Sequence, residues 1–276
     1  MLATADLSVD GALFLKRFLG IEAFPGALAL LNNVAYRHDQ AVVDDQTVPI
    51  LVQSGLLNID GTVEPSLLKW LRVLERPDVH IAVRSLDGGR MRRAVLARRD
   101  KEHVLAGRRN EAVNIQGIWS QGQSFDNTVS APVWSSLRVN KEVLAPPAAD
   151  MDTVTLTLDE VEQLKQLPPG KNLPWLRDHG IDPDSARVLN EVSTYSGQRA
   201  EITALQDKGI TTFETPVGVV VADTSFGRVV SGVRRHGKRT HITFGPGTYA
   251  RFRVAMADLI DLTPSKDWFT ARPWEK

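Results

Sequence analysis

The chain has 276 residues, of which 42% are hydrophobic, enough to bury a substantial core as one or two domains. Lys plus Arg and Asp plus Glu balance at 33 each, so no overall charge asks for nucleic acid or an anionic membrane. The absence of cysteine excludes disulfides, thiolate catalysis and Cys-ligated zinc, no apolar run reaches the ~20 residues of a bilayer span, and the opening MLATADLSVD lacks the basic-then-apolar pattern of a signal peptide. The expected compartment is the cytoplasm.

Taken in chain order, the elements recur. A short β-like segment runs into a helix at Leu7–Phe18, and LSVDGALFLKRF there reads against LTLDEVEQLKQL at Leu156–Leu167. Asp10 and Asp159 are the expected helix caps. Ala12, Leu15 and Phe18 match Val161, Leu164 and Leu167 as one apolar stripe. Pro25 and the pair Pro168-Pro169 then interrupt, and the first copy carries an extra segment including LALLNNVAYRHDQ, either a helix or a loop. Next comes a helix ending near Gly55 or Gly180, where glycine suits a left-handed cap. A second helix follows Glu64-Pro65-Ser66 or Asp182-Pro183-Asp184-Ser185, with proline in its first turn. Leu67, Leu68, Leu71 and Leu74 face inward on the first of these helices; Ala186, Leu189, Val192 and Tyr195 do so on its counterpart.

The remainder of each copy reads as strands. The first has His80–Leu86, Met91–Arg98, His103–Arg108 and Val113–Ile118; the second has Ala200–Gln206, Val217–Asp223, Arg228–Arg234 and Thr240–Phe244. The short turns between them require antiparallel pairing. Val95-Leu96-Ala97 and Val219-Val220-Val221 are apolar on both pleat faces, so part of the second face must be covered. A final helix closes each half, ending at Pro146 and Pro264, and PPAADMD (Pro146–Asp152) marks the boundary. The expected architecture is α+β: a quasi-two-fold duplicated unit, residues 1–150 and 151–276, sharing one antiparallel meander sheet flanked by helical bundles in a compact pseudo-symmetric body.

The chemistry-bearing patterns are weak. Gly232–Thr240 (GVRRHGKRT) approaches a phosphate-binding GxxxxGK[ST] loop, but Arg239 stands where the magnesium-ligating hydroxyl belongs and the glycines fall between two strands. The histidines His38, His80, His103, His179, His236 and His241 include no HExxH pair, and there is no GxSxG elbow. No catalytic residue, cofactor or metal is expected. The segment Arg84–Arg109 has nine Lys and Arg in 26 residues, which suggests phosphate-backbone contact as a second reading, a nucleic-acid-binding protein. Asp87, Asp100 and Glu102 dilute that charge, and no aromatics interleave with it. A nucleotide hydrolase using Gly232–Thr240 is a third. Trp268, Phe269 and Trp274 form either a docking patch or a tail packed on the body.

The segment AVLARRDKEHVLAGRRNEAV (Ala94–Val113) resembles the arginine-rich hairpin of the EspG family, chaperones of actinobacterial type VII (ESX) secretion. VDGALFLKRFLGIEAFPGALAL and GLLNIDGTVEPSLLKWLRVLERPDVHIAV are similar to that family's amino-terminal helix and its path into the first hairpin strand. LRDHGIDPDSARVLNEV and FGRVVSGVRRHGKRTHITFGPG fall where it has its second helix pair and hairpin. The resemblance runs from about Leu7 to Trp268. It implies a non-enzymatic cytosolic chaperone that grips the helical tip of the PPE subunit of a PE–PPE heterodimer in a 1:1:1 complex, keeps it soluble and directs it to an ESX system. It also implies contact through the first hairpin loop, here Leu86, Asp87, Gly88, Gly89 and Arg90, and through a carboxy-terminal bundle with Phe252, Met256 and Leu259 as candidates. The loop is short here. No nucleic acid or membrane insertion is expected, and the free form is expected to be a monomer or weak homodimer.

Overall fold

The computed structural model describes residues 2–31, 37–119, 124–138, 146–194, 198–207, 209, 211–237 and 239–272. The first half contains β1 (Ala5–Ser8), α1 (Val9–Phe18), a 3-10 turn (Gly26–Leu28), α2 (Arg37–Gln53), α3 (Pro65–Glu75), β2 (Val79–Asp87), β3 (Arg90–Arg99), β4 (Glu102–Arg109) and β5 (Ala112–Gly117). It ends in a π-turn (Asp126–Ser130) continuous with α4 (Ala131–Ser136). The second half contains β6 (Val154–Thr157), α5 (Leu158–Gln166), α6 (Asn172–Asp178), α7 (Pro183–Thr194), β7 (Arg199–Asp207), β8 (Thr212–Glu214), β9 (Val219–Thr224), β10 (Gly227–His236), β11 (Arg239–Pro246) and α8 (Tyr249–Asp261).

The strands form one sheet in the order β1-β5-β4-β3-β2-β7-β9-β10-β11-β6, with β8 paired to β7. This order is the same in both directions once the halves are equated. The central ladder is symmetric as well: Val79 faces Gln206 and Leu86 faces Arg199, so the pairing of β2 with β7 maps onto itself. The pseudo-dyad passes between Ala82-Val83 and Ile202-Thr203. Such an axis between antiparallel neighbours stands perpendicular to the sheet and keeps each face on its own side.

One face carries two trios of helices. In the first half, α1, α2 and α3 bury Leu15, Leu67, Leu71 and Leu74 against Val95, Ala97, Val104, Ala106 and Ile115. In the second, α5, α6 and α7 bury Val161, Leu164, Leu176 and Leu189 against Leu156, Val229 and Ile242. The opposite face is covered at its centre by α4, α8 and the carboxy-terminal segment, which close over Ile81, Val83, Leu96, Ile202, Ala204 and Val221. Val95, Leu96 and Ala97 are all buried because β3 is sandwiched there, as the doubly apolar pattern requires. The two closing helices meet across the dyad: Trp134 lies against Tyr249 and Phe252, and the Tyr249 hydroxyl donates to Asp126 at 2.5 Å.

Several local expectations are corrected. The helix caps are Ser8 and Thr157, whose hydroxyls accept from the amides of Gly11 and Glu160; Asp10 and Asp159 are each the second residue of the helix, where their charge suits the helix dipole. Glu160 completes a capping box with Thr157. Phe18 ends the stripe half exposed, its ring 5.7 Å from that of Phe14. The described helix closing the first half stops at Ser136, short of Pro146. Part of the inserted segment is helical, since α2 begins at Arg37, while residues 32–36 lie outside the described residues, as do Tyr195, Lys238 and Trp274.

The segment Pro146–Asp152, expected as a boundary, is seated on the second half. Arg228 donates its amide to the Pro147 carbonyl at 2.7 Å, and Ala149 donates to the Arg228 carbonyl at 2.9 Å. The corresponding trailing segment after α8 crosses to the first half. There the buried guanidinium of Arg98 donates to the carbonyls of Asp100, Phe269 and Ala271, and buried Trp268 lies beside His103.

Candidate functional site

Leu86–Arg90 lies at the tip of the hairpin joining β2 and β3. Gly88 and Gly89 have φ of 53° and 82°, the backbone of a mirror-image two-residue turn that only residues tolerant of positive φ can make. This tight turn leaves Leu86 and its cross-strand partner Met91 exposed side by side, at 39% and 40%. Both point to the face that carries the helix trios. Large apolar side chains at a hairpin tip gain little from folding and mark a contact surface when they adjoin other apolar groups.

They do adjoin such groups. Leu86 pairs with Arg199 of β7, and Arg199 lines a groove of about 400 Å³ between α5, α7 and the sheet. Leu164, Leu167, Leu189, Val192 and Phe244 give the groove apolar walls. Of its polar members, Asn172 donates to Ser193 at 2.9 Å, and Arg199 reaches Glu201 at 3.4 Å and the Val192 carbonyl at 3.4 Å, while the buried Arg199 Nε has no hydrogen-bond partner. Next to this row, Arg84 pairs with Glu201, both exposed. At its hairpin end the strip of sheet between the two helix trios is therefore open, apolar at Leu86 and Met91, and rimmed by charges of both signs, while His80 and Ala82 farther along β2 are buried. An apolar centre with a polar rim is the anatomy of a protein–protein contact.

Phe252, Met256 and Leu259 are not part of this surface. All three are fully buried under α8 against the opposite face of the sheet, where they hold the two halves together, so no partner touches them in this conformation. Only the family resemblance offers them as contacts; they share one face of α8, and that face is core. The groove at Leu164, Val192 and Phe244 escaped the sequence reading because its lining comes from three separated segments, each of which reads as ordinary core.

The other chemistry-bearing patterns resolve into scaffold. Gly232–Thr240 spans the hairpin of β10 and β11, with Arg235 opposite Thr240, so the glycines do not open a helix and the phosphate-loop geometry is lost. Of the basic segment, Arg98 is buried, Arg93 donates to the Ala27 carbonyl, Arg99 to that of Arg72 and Arg108 to that of Ala29. His80 and His103 are buried, which pushes both down to about 4 and keeps them neutral near pH 7. Among the described residues no group of three or more His, Asp or Glu is placed to hold a metal ion, and no helix is long and apolar enough to cross a membrane.

The family model described as the EspG family matches residues 8–258. The chain is 29% identical over 272 residues to the ESX-1 secretion-associated protein EspG1 of Mycobacterium tuberculosis, covering 95% of this chain and 88% of that protein. It is 27% identical over 278 residues to the ESX-3 secretion-associated protein EspG3 of the same species, covering 96% and 92%. Its fold matches, with a TM-score of 0.80 and 17% identity over 98% of this chain and 100% of the other, the Mycobacterium tuberculosis type VII secretion system chaperone EspG5, solved in complex with the PE25–PPE41 dimer. A family model over most of the chain and a fold shared over nearly all of it agree, and the chain belongs to the EspG family.

Proposed function

We propose that this chain is a cytoplasmic, non-enzymatic secretion chaperone that binds a PE–PPE heterodimer one-to-one through the helical tip of the PPE subunit. In this role it keeps the heterodimer soluble and directs it to an ESX type VII system. The observation that carries this reading is the match to the EspG family over residues 8–258, joined to a fold shared with a chaperone solved on a PE–PPE dimer. The tip would seat on the open strip between the helix trios. Leu86 and Met91 supply apolar contact at the hairpin, Asp87, Gly88, Gly89 and Arg90 bound it, and the groove at Leu164, Val192 and Phe244 receives an apolar side chain. The charges of Arg84, Arg199 and Glu201 select among related tips by complementarity and repulsion.

Co-expression with a cognate PE–PPE pair, followed by size exclusion, tests the function; a 1:1:1 peak is expected, and failure with every pair encoded beside the gene would sink it. The site is tested separately by Leu86→Glu and Met91→Glu. Because both side chains are already exposed, each variant should keep its melting temperature while the double variant weakens binding by about tenfold or more. A heterotrimer that persists undiminished moves the contact elsewhere and leaves the function standing.

A further inference from the structure

On the sheet face opposite the helix trios, the two halves differ in how an arginine is matched. In the second half Arg234 of β10 meets Asp258 of α8, with contacts of 3.1 and 3.3 Å, and Gly232 lets Ala255 of the same helix seat directly on the strand. Arg109 and Gly107 of β4 stand 125 residues earlier, at the corresponding places on the first half's strand. There the covering helix α4 is only six residues, APVWSS, with no acid among them. Among the described residues this leaves an open groove of about 320 Å³ over Ala94 and Leu105, rimmed by Arg92, Arg109 and Arg138.

Among the described residues none of these arginines forms an ion pair; the acid acting on Arg92 is Asp87 at the hairpin tip. Arg92 is held by the carbonyls of Leu137 and Arg138 and the Ser85 hydroxyl, and its buried Nε has no hydrogen-bond partner. Burial pushes Arg92 below the ordinary arginine value, a sign that its charge is poorly solvated where it stands. Among the described residues the one acid lining the groove, Asp6, accepts from Asn114 at 2.7 Å. A guanidinium cluster of this kind over an apolar floor suits a carboxylate carried on a peptide, as the Arg234–Asp258 pair demonstrates within the same molecule.

We propose that this groove is a docking site for an acidic peptide segment of a partner protein, whose carboxylates take the place that Asp258 takes in the second half. It lies on the other side of the sheet from Leu86 and Met91, so it can be filled while a heterodimer is held there. The site stands independently of the PE–PPE reading.

The test uses the full chain and fluorescein-labelled deca-glutamate, followed by fluorescence anisotropy at about 50 mM salt, with deca-glutamine as control. Deca-glutamate should bind and deca-glutamine should not. Replacing the exposed pair by Arg109→Ala with Arg138→Ala should weaken binding by about fivefold or more. A second variant, Ser136→Asp, puts a carboxylate on the groove wall from within; it should leave the melting temperature unchanged or raised and reduce deca-glutamate binding. Equal binding of the two peptides, or binding indifferent to both sets of substitutions, overturns the proposal. So does tighter, Arg109-dependent binding of decathymidylate or of inorganic phosphate, which would make the ligand a phosphate.

Discussion

The two trailing segments solve the same problem with different chemistry. After α4, Pro146–Asp152 crosses to the second half and is stitched there by main chain, through Pro147, Ala149 and the amide and carbonyl of Arg228. The stitch demands glycine at position 227: its φ is 115°, and a Cβ there would come within 2.7 Å of the Pro147 carbonyl oxygen. After α8, Ser265–Arg272 crosses to the first half and is held by side chains, with Arg98 on two of its carbonyls, Gln206 on Ser265 and Arg272, and Trp268 beside His103. The corresponding residue pairs, 125 apart, are Arg98 and Asp223, Glu102 and Gly227, His103 and Arg228. A duplicated fold can thus keep its topology while every contact at one equivalent place is exchanged. What is retained is the need to tie each half to the other.

Removing the side-chain clasp is the strongest way to break this comparison. Trp268 is 1% exposed, and Trp268→Ala should cost about 3–5 kcal/mol, read as a lower urea midpoint. A change of under about 1 kcal/mol would show that the tail is decoration. The next test sets two buried pairs against each other. Arg228 and Asp223 meet through two hydrogen bonds of 2.6 and 2.9 Å, whereas Arg98 and Asp78 are 3.5 Å apart and Arg98 has carbonyls besides. Asp223→Ala should therefore cost about 3 kcal/mol, by stranding a buried guanidinium, and Asp78→Ala clearly less. Equal losses would mean that the carbonyls do not solvate Arg98.

The third test is pH. His103 is held near 4 by burial and by Arg98, against 6.5 when unfolded, so the unfolded chain binds more protons between those values. Stability is then full above about 6.5 and falls as pH drops toward 4, by up to about 3 kcal/mol for this residue. His80 acts in the same sense, and Asp78, raised by burial, partly offsets both. His103→Gln should flatten the acid limb of stability against pH, as followed by thermal melts from pH 7 to 4.5. An unchanged slope would assign the acid sensitivity elsewhere.

Most of the scaffold was legible in the sequence, and the reasons are local. Strands β2 to β5 start and stop within about two residues of expectation because Asp87-Gly88-Gly89, Asp100-Lys101 and Asn110-Glu111 are strong turn formers, and Asp100 and Asn110 do adopt positive φ. The helix pairs followed from Pro65 and Pro183 in first turns and from Gly55 and Gly180 beyond ends. Short-range signals failed where a long-range contact decides. Ser8 outcompetes Asp10 as cap because β1 pairs with β5 up to Ser8 and so fixes where the helix begins. Strand β8 has three residues with no distinctive pattern, and it exists because β7 offers it an edge. The candidate contact surface was half legible. Asp87-Gly88-Gly89 marks the turn of the hairpin tip, its place in a contact surface comes from the family resemblance and stands as a proposal, and no periodicity distinguishes an apolar residue that lines a groove from one that fills a core.

The central ladder also sets an order of events during synthesis. Residues paired across β2 and β7 are more than 110 positions apart, and the contact of Arg98 with Ala271 spans 173. Loop closure over such distances comes late, because its entropy must be met before the contacts form. Strand β2, with Val79, Ile81 and Val83 on one face, therefore waits as an open edge until residue 207 has left the ribosome, and the Trp268 clasp can close only when the chain is nearly finished. For that interval the protein is itself a nascent chain with an uncovered apolar strand, the kind of surface on which other nascent chains aggregate.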